Sequence, residues 1–423
     1  MALFSRSGAT DAHPTSYLAL DIGTEVVKAV VFEVSEGAHH AVVKGVGRKR
    51  QPLGAMYAGA VGDIQAVIDI CEKAIFEASE QAGTRPTHVM MGVAGELVRG
   101  ATTTISYERE QPEETIDEPE LRNIMHTVQW KALDKVRNEL AKQTGQEELD
   151  IRLITGAVVE IRIDGYRITQ PVGFKGQEIA LSVFNAYAPL VHIGALESIA
   201  QGLELTILGI TAEPYAVATA VGVGERMEYS GLFIDVGGGT TDIAVVRNGV
   251  IEGTNMFGIG GRAFTRRVMQ VRDLSFDDAE ELKVRYGNGL ANEATAHRLD
   301  QDLAADIAVW QEGVRLSLQP SSDKEPLPSR VLLCGGGSKL PGLAQALTDQ
   351  SFTSQLNFAA PPRIHGMQPS DVVLVNDATD TLKGREDVTP LALAAHATRE
   401  VLSQQDEFAS VMRRTLRLLQ PSE

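Results

Sequence analysis

Apolar residues recur along the chain in short β-branched runs and in longer stretches with helical spacing, which is typical of an α/β protein. The first such run, YLALDIG, is followed by VVKAVVFEV and AVVKGVGR, and the tight gaps between them predict a strand meander. The next segment, GDIQAVIDICEKAIFEASEQAG, has its apolar residues at helical spacing, and Gly83 is placed to end that helix.

The second half of the chain repeats this order. The segment GLFIDVGGGTTDIAVVRNGVIEGT again predicts an apolar strand, a glycine-rich turn, a strand, a turn and a strand. In both copies the first strand leads to Asp, an apolar residue, Gly and Thr before a β-branched strand begins. This internal duplication indicates two homologous lobes.

A charge-rich region separates the two copies. Residues 108–149 carry a capping pattern before a long amphipathic helix, and strands near 151–163 with an Asp-Gly turn complete a small α/β insert. A Ser/Pro-rich link, PSSDKEPLP, is expected near the end of the second half. The predicted divisions are a disordered tail at 1–16, a first lobe at 17–85 and 178–212, an insert at 86–177, a second lobe at 213–260 and 330–402, a subdomain of that lobe at 261–329, and a C-terminal amphipathic helix at 403–423.

Composition narrows the classes of protein. With 423 residues, 43% of them hydrophobic, the chain is long enough for two to four structural units, and a net charge of −17 argues against a duplex nucleic-acid partner. No apolar run approaches the roughly 20 residues that span a bilayer, and the N-terminus lacks the apolar core of a signal peptide. Cys71 and Cys334 lie in apolar segments without metal-ligand spacing, which predicts two buried thiols in a reducing, cytoplasmic compartment.

The two glycine-containing turns at 21–24 and 235–241 are the candidate phosphate loops. Glycine lets backbone N–H groups approach an anion, successive N–H groups form an anion-binding concavity, and threonine hydroxyls add donors. A lone DIGT is more often an ordinary hairpin turn, but its pairing with DVGGGTTDI favours a polyphosphate clamp. The residues assigned to this clamp are Asp21, Gly23, Thr24, Asp235, Gly237, Gly238, Gly239, Thr240 and Thr241.

The aspartate that begins each loop cannot face phosphate directly, because like charges repel. Asp21 and Asp235 would make chemical sense if a hydrated Mg²⁺ lay between them and the phosphates, since Mg²⁺ favours carboxylates and keeps several waters. The sequence lacks GxxxxGK[ST] and any GxGxxG after a strand, which weakens the P-loop and Rossmann alternatives.

A third glycine turn, LCGGGSKLPG, follows a predicted strand and precedes a helix. Gly335, Gly336 and Gly337 would let a flat ring or a ribose approach the backbone, although a tight strand–helix connection explains the pattern equally well. Glu213 stands before a proline-started helix, where a carboxylate could position water for attack on a γ-phosphate or could simply pair with the helix dipole.

With these motifs in place, the chain resembles the actin-like ATPase superfamily of actin, heat-shock chaperones, bacterial actins and sugar kinases. The resemblance implies an α/β, two-lobed actin-like ATPase fold of two duplicated ribonuclease-H-like domains, with ATP and Mg²⁺ bound between them. It assigns the loops at 21–24 and 235–241 to phosphate and the glycines 335–337 to adenosine. It further assigns Gly260 and Gly261 to the nucleotide, Glu280 and Lys283 to the adenosine flank, and Glu213 to orienting the attacking water.

Within the superfamily the chain is most similar to the FtsA family of bacterial cell-division proteins, over about residues 17–400. The stretches IRIDGYRITQPVGFKGQEI and GIGGRAFTRRVMQVRDLSFDDAEELKVRYG support this, and the insert lies where that family carries a small extra subdomain. One departure is marked: the family usually has acidic residues after the Gly-Gly of GIGG and after the following Thr. This chain has Arg262, Arg266 and Arg267 there, which could strengthen nucleotide binding or alter hydrolysis or a partner site.

The C-terminal segment EFASVMRRTLRLLQPSE reads as a basic amphipathic helix in an acidic protein. FtsA-like proteins end in such a helix, which ties filaments to the inner membrane, whereas the alternative is a helix packed on its own domain or on a partner. Three arginines at about 1 kcal/mol each give modest attraction to anionic lipid. The residues assigned to the membrane are Phe408, Val411, Met412, Arg413, Arg414, Leu416, Arg417 and Leu419.

Three functions follow from these resemblances. The first is an ATP-binding bacterial actin homologue at the cytoplasmic face of the inner membrane and the division site, with regulatory rather than metabolic ATPase activity. Its expected partners are itself in an actin-like protofilament, the C-terminal peptide of the tubulin-like protein FtsZ, other division proteins and anionic lipid, with no nucleic acid. The second is a PilM-like cytoplasmic adaptor of a type IV pilus system, and the third is a metabolic kinase, for which no sugar-contacting cluster is evident.

Overall fold

The computed structural model describes residues 16–34, 40–95, 98–144, 150–221 and 229–402. The predicted N-terminal tail, apart from Ser16, and the predicted C-terminal helix at 403–423 lie outside these residues, as does every residue assigned to the membrane.

The strands and helices of the described residues alternate as the apolar pattern predicts. The strands are β1 (Ser16–Ile22), β2 (Val26–Val34), β3 (Ala41–Arg50), β4 (Met56–Tyr57), β5 (Ala60–Val61), β6 (His88–Val93), β7 (Arg99–Glu108), β8 (Ile151–Ile163), β9 (Tyr166–Arg167), β10 (Glu178–Pro189), β11 (Thr206–Ala212), β12 (Gly231–Val236), β13 (Thr241–Arg247), β14 (Val250–Phe257), β15 (Arg330–Cys334), β16 (Arg363–Gly366) and β17 (Val375–Asp377). The helices are α1 (Ile64–Ala82), α2 (Glu118–Thr144), α3 (Leu190–Gly202), α4 (Glu213–Ala220), α5 (Gly261–Arg272), α6 (Phe276–Gly287), α7 (Glu293–Ser322), α8 (Pro341–Ala346), α9 (Gln350–Thr353) and α10 (Val388–Leu402).

The first sheet carries the first phosphate loop. Its order is β11-β6-β1-β2-β3-β17, with the meander β1–β2–β3 antiparallel and β6 parallel to β1. Strand β1 is buried along its whole length and β2 through its middle, because α1 packs on β2 and β3 and α10 packs on β1 and β2. Helix α1 begins at the cap residue Asp63, whose carboxylate accepts from the Ala66 N–H, and ends at the left-handed Gly83, as predicted.

The second sheet repeats the first. Its order is β16-β15-β12-β13-β14-β7-β10-β8-β9, and the part β16-β15-β12-β13-β14 has the connectivity and strand directions of β11-β6-β1-β2-β3. Strand pairing therefore shows the two-lobed duplication directly. The second phosphate loop connects β12 to β13, where the first loop connects β1 to β2.

The insert extends the second sheet. Strands β7, β10 and β8 pair along most of their length under α2, and β7 joins β14 through two residue pairs, Gly253 with Ala101 and Thr254 with Gly100. Two strands at the ends of the predicted insert lie elsewhere than predicted. Strand β6, placed in the insert at 86–177, belongs to the first sheet, whereas β10, placed in the first lobe at 178–212, is a central strand of the insert. The division into lobes by residue number otherwise stays a prediction.

Two further segments differ from their predicted places. Strand β17 pairs with β3, and α10 packs on α4 and on β1, so the end of the predicted second lobe at 330–402 returns to the first sheet. The predicted link at 320–328 begins as helix, because α7 continues through Pro320 to Ser322. The buried side chains of Leu318 and Ser322 hold this last turn against the second lobe despite the hydrogen bond that proline removes.

One large apolar core joins the first sheet to α1, α3, α4 and α10, and a second lies between the second sheet and helices α5 to α8. Both Cys71 and Cys334 are buried free thiols, as predicted, and burial raises the pKa of Cys71 to about 12. Within the described residues no helix is both long enough and apolar enough to cross a membrane.

The approach of α1 to β3 depends on glycine. A Cβ added at Gly47 would lie 1.9 Å from the carbonyl oxygen of Ala74 on α1, a distance that requires the helix to move. We expect Gly47→Ala to lower the free energy of unfolding by about 1–3 kcal/mol, measured by denaturant titration. The control is Gly194→Ala in α3, where a new Cβ meets nothing within 4 Å and helix propensity predicts no loss. Equal midpoints for the Gly47 variant and the wild type would contradict this packing.

Candidate functional site

A cleft of about 600 Å³ lies where the two duplicated sheets face one another. Its floor and walls come from the turn after β1, the turn after β12, the turn after β15, the first turns of α4 and α5, and the part of α6 from Glu280 to Gly287. Most of the residues that the sequence assigns to a nucleotide line this single cleft: Asp21, Gly23, Thr24, Glu213, Asp235, Gly237, Gly238, Thr240, Gly261, Glu280, Lys283, Gly335, Gly336 and Gly337.

The two aspartates occupy equivalent places in the two lobes. Asp21 pairs across the antiparallel ladder with Lys28 of β2, and the Lys28 Nζ lies 2.8 Å from its carboxylate. Asp235 pairs in the same register with Asp242 of β13, so the second lobe has a carboxylate where the first has an ammonium. Asp235 also accepts a hydrogen bond from the Thr389 hydroxyl at the start of α10.

Glu213 begins α4 directly after β11 and is 9% exposed. Its carboxylate lies beside the backbone of Gly92 at the end of β6, where an added Cβ would come within 2.6 Å of Oε1. A larger residue at position 92 would therefore displace this carboxylate. Glu213 therefore lines the cleft on the side of the first lobe, close to the floor formed by the aspartates.

The cleft floor carries an excess of negative charge. Burial, followed by the charges of Asp21, Asp242 and Asp235, raises the pKa of Glu213 well above its usual value. Burial and the neighbouring Asp235 likewise raise the pKa of Asp242 well above the usual range. Burial alone would lower the pKa of Lys28, but the surrounding carboxylates, Asp21 foremost, outweigh it and raise that pKa. Lys28 thus lies among several buried carboxylates and forms its ion pair with one of them, Asp21.

The second phosphate loop is held by its own backbone and by α5. The N–H of Gly237 donates to the Thr240 carbonyl at 2.9 Å, and the N–H groups of Gly261 and Arg262 donate to the carbonyls of Gly237 and Gly238, each at 2.8 Å. This network fixes the backbone of the loop without using a side chain from the cleft.

Three residues assigned to the nucleotide are outside the lining of the cleft. Gly239 instead packs against Thr24 of the first loop, and Gly260 packs under the backbone of the second loop. The Thr241 hydroxyl donates to the Ile259 carbonyl at 2.7 Å and accepts from the Trp310 indole N–H at 2.9 Å. The sequence suggested a phosphate donor at Thr241, but this hydroxyl faces the second-lobe core.

The predicted adenosine residues form the far wall. Gly335 has a φ of +80° and follows β15 so closely that an added Cβ would lie 2.0 Å from a carboxylate oxygen of Asp235, which excludes any other residue there. Across the cleft, Lys283 Nζ donates to the Gly261 carbonyl at 3.1 Å, to Thr265 Oγ1 at 2.9 Å and to the Glu280 carboxylate at 2.7 Å. Burial of this lysine is thereby offset by three acceptors.

Sequence reasoning missed Lys28 and Asp242. Both stand seven positions after the aspartate of their loop, so aligning the two copies of the repeat places them at equivalent sites. Lys28 is also a lone charge within the apolar strand VVKAVVF, a pattern that indicates a buried, paired ammonium.

Of the three arginines that depart from the family pattern, only Arg262 lines the cleft. Arg266 is exposed, and Arg267 forms an ion pair with Asp306 of α7 at 2.6 Å. Helical spacing explains Arg267, which lies five positions after Arg262, but not Arg266, which lies four positions after it and is nevertheless exposed.

The residues of the cleft fit a magnesium-bound polyphosphate by charge and by shape. Glycine N–H groups and Lys28 are donors for phosphate oxygens, and the surplus carboxylates suit a cation that keeps its waters. Within the described residues no three His, Cys, Asp or Glu side chains are grouped so as to hold a metal ion directly. Coordination through water at Asp21 and Asp235 stays a prediction.

Comparison with known proteins finds similarity to cell-division proteins. Residues 232–380 match the family described as Cell division protein FtsA. The FtsA protein of Pseudomonas aeruginosa is 25% identical over 379 residues, which cover 84% of this chain and 85% of that protein. The FtsA protein of Streptococcus pneumoniae is 24% identical over 427 aligned residues, covering 96% of this chain and 88% of its own length.

The fold has solved counterparts. A structure of the PilM–PilN type IV pilus biogenesis complex superposes with a TM-score of 0.64 at 19% identity, covering 90% of this chain and 98% of that chain. At this identity the likeness concerns the fold alone. It confirms the predicted actin-like ATPase fold, which the repeated strand order already indicates.

The raised pKa of Glu213 has a consequence for stability. The folded protein keeps a proton on Glu213 that the unfolded chain releases above about pH 4.3, so the free energy of unfolding falls as pH rises toward the raised pKa. We expect Glu213→Gln, which stays neutral, to raise the thermal midpoint without ligand at about pH 8, by roughly 2–4 °C for each kcal/mol relieved. The gain should shrink toward about pH 5. Glu72→Gln, at an exposed position of α1, is the control and should leave the midpoint unchanged at both pH values. A Gln variant less stable than the wild type at pH 8 would contradict the burial of this charge.

Proposed function

We propose that the chain is an FtsA-like protein of the actin-like ATPase superfamily, that it binds Mg·ATP, and that it acts in bacterial cell division as a polymerising protein at the inner membrane. The observation that carries this proposal is the convergence of both phosphate loops and the three-glycine turn on one cleft between the lobes. In the proposed state the protein forms actin-like protofilaments on the cytoplasmic face and recruits the FtsZ ring.

Each group in the cleft has a proposed role. Backbone N–H groups of Gly23 and Gly238, with Lys28, bind the phosphates, because these donors line the space between the loops, while Gly237, whose N–H donates to the Thr240 carbonyl, shapes the second loop. Asp21 and Asp235 hold Mg²⁺ through its waters.

Glu213 is proposed to orient the attacking water. It faces the same space from the first-lobe side, and its raised pKa suits a group that holds or accepts a proton near neutral pH. Hydrolysis in this scheme is slow and coupled to assembly, which makes the protein a regulatory ATPase rather than a metabolic one.

Partners and location rest on the relatives and on the C-terminal segment. The FtsA relatives align over most of the chain and most of their own length, which supports a division-site role with self-assembly and FtsZ recruitment. The basic amphipathic pattern of residues 408–419 supports peripheral attachment to anionic lipid. Assembly into filaments would multiply the modest affinity of one helix.

Removal of either loop aspartate tests the site. We expect Asp21→Ala and Asp235→Ala each to abolish Mg²⁺-dependent ATP binding in isothermal titration calorimetry, because each removes an anchor of the hydrated ion. Asp69→Ala, at an exposed position of α1, is the matched control and should bind as the wild type does. Normal Mg·ATP binding by both cleft variants would show that the site is wrongly assigned.

Sedimentation tests the assembly. With ATP and vesicles containing anionic lipid, the full chain should pellet as filaments, and FtsZ or its C-terminal peptide should pellet with it. A truncation at Leu402 should keep nucleotide binding and lose the vesicle-dependent pellet, since it removes only the segment after α10. Tight binding of a short peptide without sedimentation would instead support a PilM-like adaptor. ADP release that depends on an added sugar would support a kinase.

A further inference from the structure

The guanidinium of Arg262 extends from the second lobe into the space between the two phosphate loops. Its backbone N–H donates to the Gly238 carbonyl at 2.8 Å, which places the residue directly behind the second loop. Its side chain reaches Glu25, the residue that follows the first loop. The guanidinium therefore spans the two loops where they approach each other.

Two of the three guanidinium nitrogens of Arg262 donate hydrogen bonds, and the third has no acceptor. Nε donates to the Glu25 carboxylate at 2.6 Å, and Nη1 donates to the Met56 carbonyl at 3.3 Å. Nη2 is buried and has no hydrogen-bond partner, although the residue is only 6% exposed and lines the cleft. A buried donor without an acceptor costs about 1–3 kcal/mol, so its retention indicates an acceptor that is bound during function.

Glu25 is already satisfied without that free nitrogen. Its other carboxylate oxygen accepts from Arg50 Nε of β3 at 2.6 Å, and Arg50 in turn pairs with Asp277 at the start of α6. This ion-pair chain crosses from the first sheet to the second-lobe helices, and it holds the Arg262 fork in one orientation. The free Nη2 is thus positioned by neighbours from both lobes.

We propose that Nη2 of Arg262 donates to the terminal phosphate of a bound nucleoside triphosphate, so that this chain distinguishes a triphosphate from a diphosphate. The inference rests on the proposed function, since it places a polyphosphate between the two loops. An arginine fork suits phosphate oxygens, and charge-assisted hydrogen bonds are about twice as strong as neutral ones. A diphosphate lacks the group that would meet this donor.

Charge supports the assignment. The floor of the cleft carries four buried carboxylates, and Lys28 forms an ion pair with one of them, Asp21, so the floor opposes the entry of a further anionic group. Arg262 brings a guanidinium to the edge of the cleft that lies between the loops. A terminal phosphate that reaches this edge would contact the Arg262 guanidinium, whereas the inner phosphates would not.

The test compares two nucleotides by calorimetry in the presence of Mg²⁺. For Arg262→Met we expect the affinity for a non-hydrolysable ATP analogue to fall about 10- to 100-fold, the equivalent of one lost charged hydrogen bond, and that for ADP to change less than about 3-fold. Arg266→Met, on the exposed side of the same helix, is the matched control and should leave both affinities unchanged. Glu25→Gln removes the ion-pair partner but keeps the donor, and it should retain the preference for the triphosphate.

Each contrary result has a distinct meaning. Equal loss of both affinities in Arg262→Met, or loss of the preference in Glu25→Gln to the same extent, would reduce Arg262 to a structural link between the lobes and overturn the inference. If Arg262→Met does not fold, Arg262→Lys keeps the charge without the fork, and an undiminished triphosphate preference in that variant overturns it too. A wild-type chain that binds neither nucleotide refutes the proposed function itself.

Discussion

Buried negative charge at the junction of the two lobes is the constraint on which the site depends. Asp21 and Asp235 end the central strands of the two sheets, and Glu213 and Asp242 approach the same point from neighbouring elements. Lys28 is paired with only the first of them at hydrogen-bond distance. Such a floor is costly to bury without a countercharge, so the same residues that define the cleft also make the stability of the protein depend on pH.

Duplication explains how this concentration arises. Two copies of one strand–turn–strand unit, packed face to face, bring two loop aspartates together by symmetry. The copies then differ at the position paired with that aspartate, which is lysine in the first lobe and aspartate in the second. One half of the cleft therefore carries an ion pair, and the other half carries two paired carboxylates. An asymmetric ligand would meet a different charge in each half.

Much of this could be predicted from the sequence, because loops and helices are local. The glycine turns, the helix ended by Gly83 and the duplicated meander follow from residue spacing and are confirmed. Sheet membership is not local: β6 and β10 read equally well in either lobe, since an apolar strand does not specify its partner. The direction in which a side chain points is harder to predict than the sheet that a strand joins. Arg262 lines the cleft and Arg266 is exposed, although residues four positions apart in a helix are expected to share a face.

The pairing of β14 with β7 is a narrow connection between the insert and the rest of the second sheet. The insert lies between two first-sheet strands in the chain, yet it is attached to the second sheet through only two residue pairs, and each of these pairs includes a glycine. Glycine adds no side chain to stiffen such a joint. The insert is also held by the first lobe, because the Thr155 hydroxyl of β8 lies 3.1 Å from the Thr211 hydroxyl of β11 and accepts from the Ala212 N–H at 3.1 Å. It therefore bridges the two lobes, and a rotation of one lobe against the other would load both of its attachments at once.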